Sequence, residues 1–183
     1  MISKFGLLTA MLLLAAGCQP SKPNIAKGQA TLPGGEDSAG FLDRMSSQRV
    51  VTQNDAMRGV WLLMNHEKDD HADFAGRVEA LRQREVVPSD WSFEADKPLT
   101  KGQLAYMIYQ ACHVSGGVTL TLTGPSQRYC LRELQYQRFM SSGTVFDKVP
   151  GMEFVAVLQR ALSYIQTGEV PDTKAAGYNE GSG

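Results

Sequence analysis

The chain has 183 residues, 20% of them charged, with 18 Lys and Arg against 19 Asp and Glu and a formal net charge of −1. A near-neutral chain without a long basic run offers no electrostatic footprint for nucleic acid or for an anionic membrane surface, so neither is expected as a charge-driven partner. No nucleophile elbow, phosphate loop or dinucleotide fingerprint is present, which removes the enzyme classes that leave a local signature.

Residues 1–17 contain one basic side chain, Lys4, then an apolar run over 5–16 and small residues before Cys18. That is the layout of an export signal, and a run of about a dozen residues is too short to span a bilayer as a helix. Its end, Leu14-Ala15-Ala16-Gly17-Cys18, resembles the lipobox of bacterial lipoproteins, with Ala15 where that family prefers leucine. The resemblance implies that Cys18 becomes the mature N-terminus and carries a lipid that holds the protein to a bilayer. Ordinary secretion after an A-x-A-like site is the alternative. An exported chain with three cysteines has an odd one to account for. With Cys18 lipidated, Cys112 and Cys130 remain as a candidate disulfide in an oxidising compartment, against the alternative of two buried free thiols.

Residues 18–40 hold Pro20, Pro23 and Pro33 with few large apolar side chains, and read as a flexible tether. Residues 166–183 are similarly aperiodic and are expected to be a disordered tail. The intervening 41–165 is the size of one domain. Over 52–65, Thr52 and Asp55 form a capping pattern, and Ala56, Val60, Leu63 and Met64 make an apolar stripe widened by Met57 and Trp61. Over 74–112 the pattern predicts helix, polar loop, helix. Phe74, Val78 and Leu81 share one face, and Pro88 opposes continuation. Thr100 and Gln103 open the second helix, with Leu104, Met107, Ile108 and Ala111 inward. The alternating Val, Thr and Leu of 118–123 predict a short extended insertion. Ser126 caps a further helix with Leu131 and Leu134 inward, and the last helix faces the core through Phe154, Val157, Leu158, Ala161 and Leu162. The fold class expected is mainly α.

Three segments starting at Val51, Leu99 and Val149 share an apolar residue, then Thr or Pro as a helix starter, then Asp, Gln or Glu three places on. Thr52 to Thr100 is 48 positions and Thr100 to Pro150 is 50. The preceding helices also correspond, with Leu81 and Val86-Val87 matching Leu134 and Phe139-Met140. A period near this length, one helical unit per repeat, marks an array that shares its core.

Asp73-Phe74-Ala75, Leu81, Val86-Val87, Asp90-Trp91-Ser92-Phe93 and Pro98-Leu99-Thr100-Lys101-Gly102-Gln103 followed by Leu104-Ala105 resemble the S-layer homology domain of bacterial envelope proteins. The resemblance is close over 74–112 and holds in outline over the flanking units. It implies a three-sided helical prism of three units whose grooves bind envelope glycans. The family's ligand-contacting arginine corresponds to Lys101, and to Gln53 and Gly151 in the other units. A glycan contact is thereby expected near Trp91, Lys101 and Gln103, with Trp91 and Phe93 either stacking on sugar or pinning their loop to the helices beneath.

Other chemistry is weaker. His66 and His71 lie five apart and so on different helix faces, and Asp90, Ser92, Glu94 and Asp96 alternate like the start of a calcium loop but have Ala95 where it needs glycine and Lys101 where it needs the final acid. No metal, cofactor or catalytic residue is expected. The sequence therefore points to a non-catalytic lipid-anchored envelope protein that binds or scaffolds at the cell wall, through peptidoglycan-linked or secondary wall glycan. The alternatives are a protein–protein assembly lipoprotein and, ranked lowest, a wall-glycan hydrolase. In a cell with two membranes, Gln19 in place of aspartate directs it to the outer membrane, facing the periplasm.

Overall fold

The computed structural model describes residues 38–65, 69, 71 and 73–171, with only the backbone at 118 and 119. The export signal, Cys18, most of the tether and residues 172–183 lie outside the described residues. Seven helices follow in order: α1 Ser38–Ser47, α2 Gln53–Met64, α3 Phe74–Gln83, α4 Lys101–Ala111, α5 Val118–Thr123, α6 Gln127–Tyr136 and α7 Gly151–Thr167. There is no sheet among the described residues; two isolated bridges, Thr52 to Pro98 and Thr100 to Lys148, are the only extended pairings there. The helix starts have local causes. Thr52, Asp73, Thr100 and Ser126 each accept a hydrogen bond from the backbone N–H three residues on, which satisfies a donor that the first turn leaves orphaned. At Thr100 the capping box is complete, because the Gln103 side chain reaches back to the Thr100 N–H at 3.1 Å.

The ends of α3 and α6 are alike. Glu85 and Arg138 both take left-handed backbone, φ 59° and 64°. Each lets two following N–H groups reach one carbonyl: Val86 and Val87 donate to Leu81 O, and Phe139 and Met140 to Leu134 O. The turn drives those four side chains into the core, where all are buried.

At the centre, three loops join through their backbones. Val51 N donates to Val149 O at 2.9 Å, Val149 N to Leu99 O at 3.2 Å, and Leu99 N to Val51 O at 2.8 Å, closing a ring. A second layer has Gln53 N on Lys97 O, Lys101 N on Asp147 O, and Gly151 N on Gln48 O, at 2.8, 2.8 and 3.1 Å. Val51, Leu99 and Val149 are fully buried, so every one of these N–H groups needs the partner it has. Around this axis α2 packs on α3, α4 on α6, and α7 on α1. The helices of 74–112 are thus divided between two neighbours, α3 going back to α2 and α4 forward to α6, instead of forming one packed hairpin. The core is sealed around Phe41, Met45, Met57, Leu104, Phe139 and Phe154.

Four expectations change. Residues 118–123 are the short helix α5 and not an extended insertion. Their period of two had no strand to pair with, so the backbone satisfies itself locally, and Leu120 is buried while Leu122 is 79% exposed. Cys112 and Cys130 are free thiols and not a disulfide. The first is the C-cap of α4 and the second a core-facing residue of α6, both filling space as small apolar groups. The helical domain also begins at Ser38, inside the segment read as tether, and α7 continues to Thr167 before Gly168 (φ 77°) ends it. Leu162, expected on the core face, is 37% exposed and borders a shallow apolar groove with Leu42, Leu63 and Leu158.

Burial pushes the Cys112 and Cys130 thiols up to about 12. At pH 8 neither forms thiolate in the folded state, so a thiol reagent should label neither until denaturant is added, and then both. Mass spectrometry before and after unfolding checks this; a third of the protein labelled in its native state at either position would contradict the burial.

Candidate functional site

The residues expected to meet a glycan do not converge on one opening. Lys101 sits in the first turn of α4, a position the helix dipole disfavours for a cation, and it is 5% exposed. Its ammonium donates to Ser141 Oγ at 2.7 Å and Ser142 O at 3.0 Å, and lies 2.9 Å from Glu153 Oε1 in the first turn of α7. With Ser141 O also within 3.4 Å, its three N–H donors find their acceptors within the protein. Glu153 also accepts from Ser141 Oγ at 2.6 Å. Asp147 organises the same turn by accepting from Thr144 N and Oγ1 at 2.9 and 2.8 Å, bonds that hold its carboxyl below the usual range. Lys101 thus ties the loop at Ser141 and Ser142, and the first turn of α7, to the start of α4.

Gln103 is occupied as well, its Oε1 taking the N–H and the hydroxyl of Thr100 at 3.1 Å each. Trp91 has kept an accessible side. It is half-buried on a ledge with Tyr106 at 5.0 Å and Phe93 at 5.9 Å between ring centroids, and Arg82 Nη2 fixes the loop by donating to Trp91 O at 2.7 Å. Burial raises the Tyr106 phenol above its ordinary value. Of the three residues, Trp91 and Gln103 are partly exposed and Lys101 is buried, and the Gln103 oxygen is already taken by Thr100. The positions aligned with Lys101 by sequence are likewise committed: Gln53 Oε1 accepts from Glu94 N at 2.9 Å, and a Cβ at Gly151 would lie 1.8 Å from Met45 O.

Two clusters were missed from sequence. Asp69, 5% exposed, pairs with Arg77 through Nη2 at 3.0 Å and with Arg58 Nε at 3.2 Å. Arg77 also donates to His71 O at 3.0 Å, and the His71 ring meets Trp61 edge-on at 4.5 Å. This network closes the connection between α2 and α3, a structural use that a charged loop in sequence does not announce. The other is a cleft of about 230 Å³ between α5 and α6, bordered by Gly117, Leu120, Tyr129, Arg132, Glu133 and Tyr136. The last four are spaced i, i+3, i+4, i+7, one face of α6, a signal present in the sequence.

Among the described residues no group of three or more His, Cys, Asp or Glu could hold a metal ion, and no helix is long and apolar enough to cross a membrane. Compared with protein families, with curated proteins and with solved structures, the chain finds no match.

Proposed function

We propose that this chain is a non-catalytic, lipid-anchored module of the bacterial cell envelope, built from three helical repeats of the S-layer homology kind and serving as a scaffold at the cell wall. The observation that carries this reading is the backbone ring of Val51, Leu99 and Val149. One equivalent position from each repeat enters it, and the next layer uses Gln53, Lys101 and Gly151, the three positions aligned with one another by sequence. Repeats that close on themselves need such an axis to satisfy their linkers. An unrelated helical bundle has no reason to join three loops at that spacing. Cys18 supplies the lipid and 19–37 the tether, with the domain on the periplasmic side of an outer membrane where the cell has one.

Wall contact falls to the Trp91, Phe93 and Tyr106 ledge, since Lys101 and Gln103 are committed elsewhere. Co-sedimentation with purified wall material tests it: the parent pellets, and Trp91→Ala, shown folded by circular dichroism, loses at least several-fold of the bound fraction. Equal pelleting of the variant removes the ledge from the reading, and a mature N-terminus with unmodified Cys18 removes the anchor. A protein–protein assembly role is the second reading, favoured by the internal use of Lys101; it requires that the parent itself stay in the supernatant.

A further inference from the structure

We propose that the α5–α6 cleft is a binding site for an uncharged pyranose unit, separate from the Trp91 ledge and independent of the lipid anchor. Tyr136 is 83% exposed, with no hydrogen bond or ring contact among the described residues. Arg132, one turn earlier, is also exposed and makes no ion pair there. Tyr129 is half-buried against the core and so holds a fixed wall. Glu133 is oriented from both sides, Oε1 accepting from Gln137 Nε2 at 2.7 Å and Oε2 from Gly117 N at 3.4 Å. Two phenol rings two helical turns apart therefore flank a guanidinium and a carboxylate over a cleft of about 230 Å³.

Chemistry selects among ligands for such a cleft. An alkyl chain would desolvate both charges without pairing either. A carboxylated ligand pairs with Arg132 but is repelled by Glu133 beside it, and a cationic one pairs with Glu133 but is repelled by Arg132. A neutral polyol ring satisfies both, because its hydroxyls accept from the guanidinium and donate to the carboxylate, while its C–H face lies on the tyrosine rings. The exposed Tyr136 is then the face that closes on the sugar.

Calorimetric titration of the full chain with tri-N-acetylchitotriose, maltotriose and trigalacturonic acid decides the matter. At least one neutral trisaccharide is expected to saturate with a Kd of about 1 mM, an affinity ordinary for a single-ring contact. Tyr136→Ala and Arg132→Gln should each weaken it tenfold or more, Trp91→Ala should not change it, and the acidic trimer should bind at least tenfold more weakly. The proposal is overturned by no saturation with either neutral sugar, by parent-like binding in Tyr136→Ala, by equal or tighter binding of the acidic trimer, or by loss in Trp91→Ala. The sedimentation test at Trp91 can fail without touching this outcome, and the reverse also holds.

Discussion

Gly151→Ala is expected to destabilise the protein by about 3 kcal/mol, at the upper end of what an added core methyl costs. A Cβ there would stand 1.8 Å from Met45 O and 2.8 Å from Gln48 O, both backbone atoms at the end of α1. No side-chain rotation relieves such a clash, so α1 and α7 must separate. Separation strains the Gly151 to Gln48 bond at 3.1 Å and, one layer away, the Val51 to Val149 bond that closes the ring. Gly59→Ala offers a graded comparison. Its Cβ would meet Phe154 Cζ at 2.5 Å, a side chain that can shift, so a smaller loss is expected. Urea unfolding followed by circular dichroism measures both. A Gly151→Ala midpoint equal to the parent's would mean that α1 does not close on α7 as described.

What was legible in the sequence, and what was not, follows from the range of the interactions involved. The caps at Thr52, Thr100 and Ser126 were readable because each acts within three residues. The core faces were readable because apolar periodicity is also local, and it failed at Leu162, where α1 and α2 leave a groove instead of a lid. The correspondence of Leu81 and Val86 with Leu134 and Phe139 reappears as two matching left-handed turns at Glu85 and Arg138. Neither turn contains the glycine that would have announced it.

Long-range facts were not legible. The ring through Val51, Leu99 and Val149 is made of backbone groups, which every residue carries, so the matching apolar residues at these positions did not announce that their backbones bond to one another. The pairing of α3 with α2 and of α4 with α6 joins elements far apart in sequence or shared between neighbouring units, and no local pattern announces it. At 118–123 a β-like pattern lost to the absence of a partner strand, a case of tertiary context overriding propensity. Cys112 and Cys130 showed how little cysteine counting says about geometry. The candidate site suffered most. Lys101 looked like a ligand cation because its acceptors, Ser141, Ser142 and Glu153, lie 40 or more residues later in the chain.

Lys101→Ala should accordingly cost about 3 kcal/mol of stability, the penalty for removing one partner of a buried ion pair. The loss has two parts. Glu153, with a side chain 13% exposed, keeps its charge and loses its cation. Ser142 O and the loop it belongs to lose a donor at 3.0 Å, and the contact of α4 with α7 through Glu153 loses its polar tie. Pairing Lys101→Met with Glu153→Gln removes both charges, and the double variant is expected to recover more than half of the loss, since the attraction within such a pair mainly offsets its own desolvation. Salt should change the loss on Lys101→Ala little, because a sealed pair is poorly screened. A ligand-contact role makes the opposite forecast at every step: Lys101→Ala would leave the unfolding midpoint where it was, Glu153→Gln would be neutral, and wall binding would fall in a fully stable protein. Unfolding curves for the two single variants and the double variant separate these outcomes, and a Lys101→Ala protein as stable as the parent would return Lys101 to the list of binding residues.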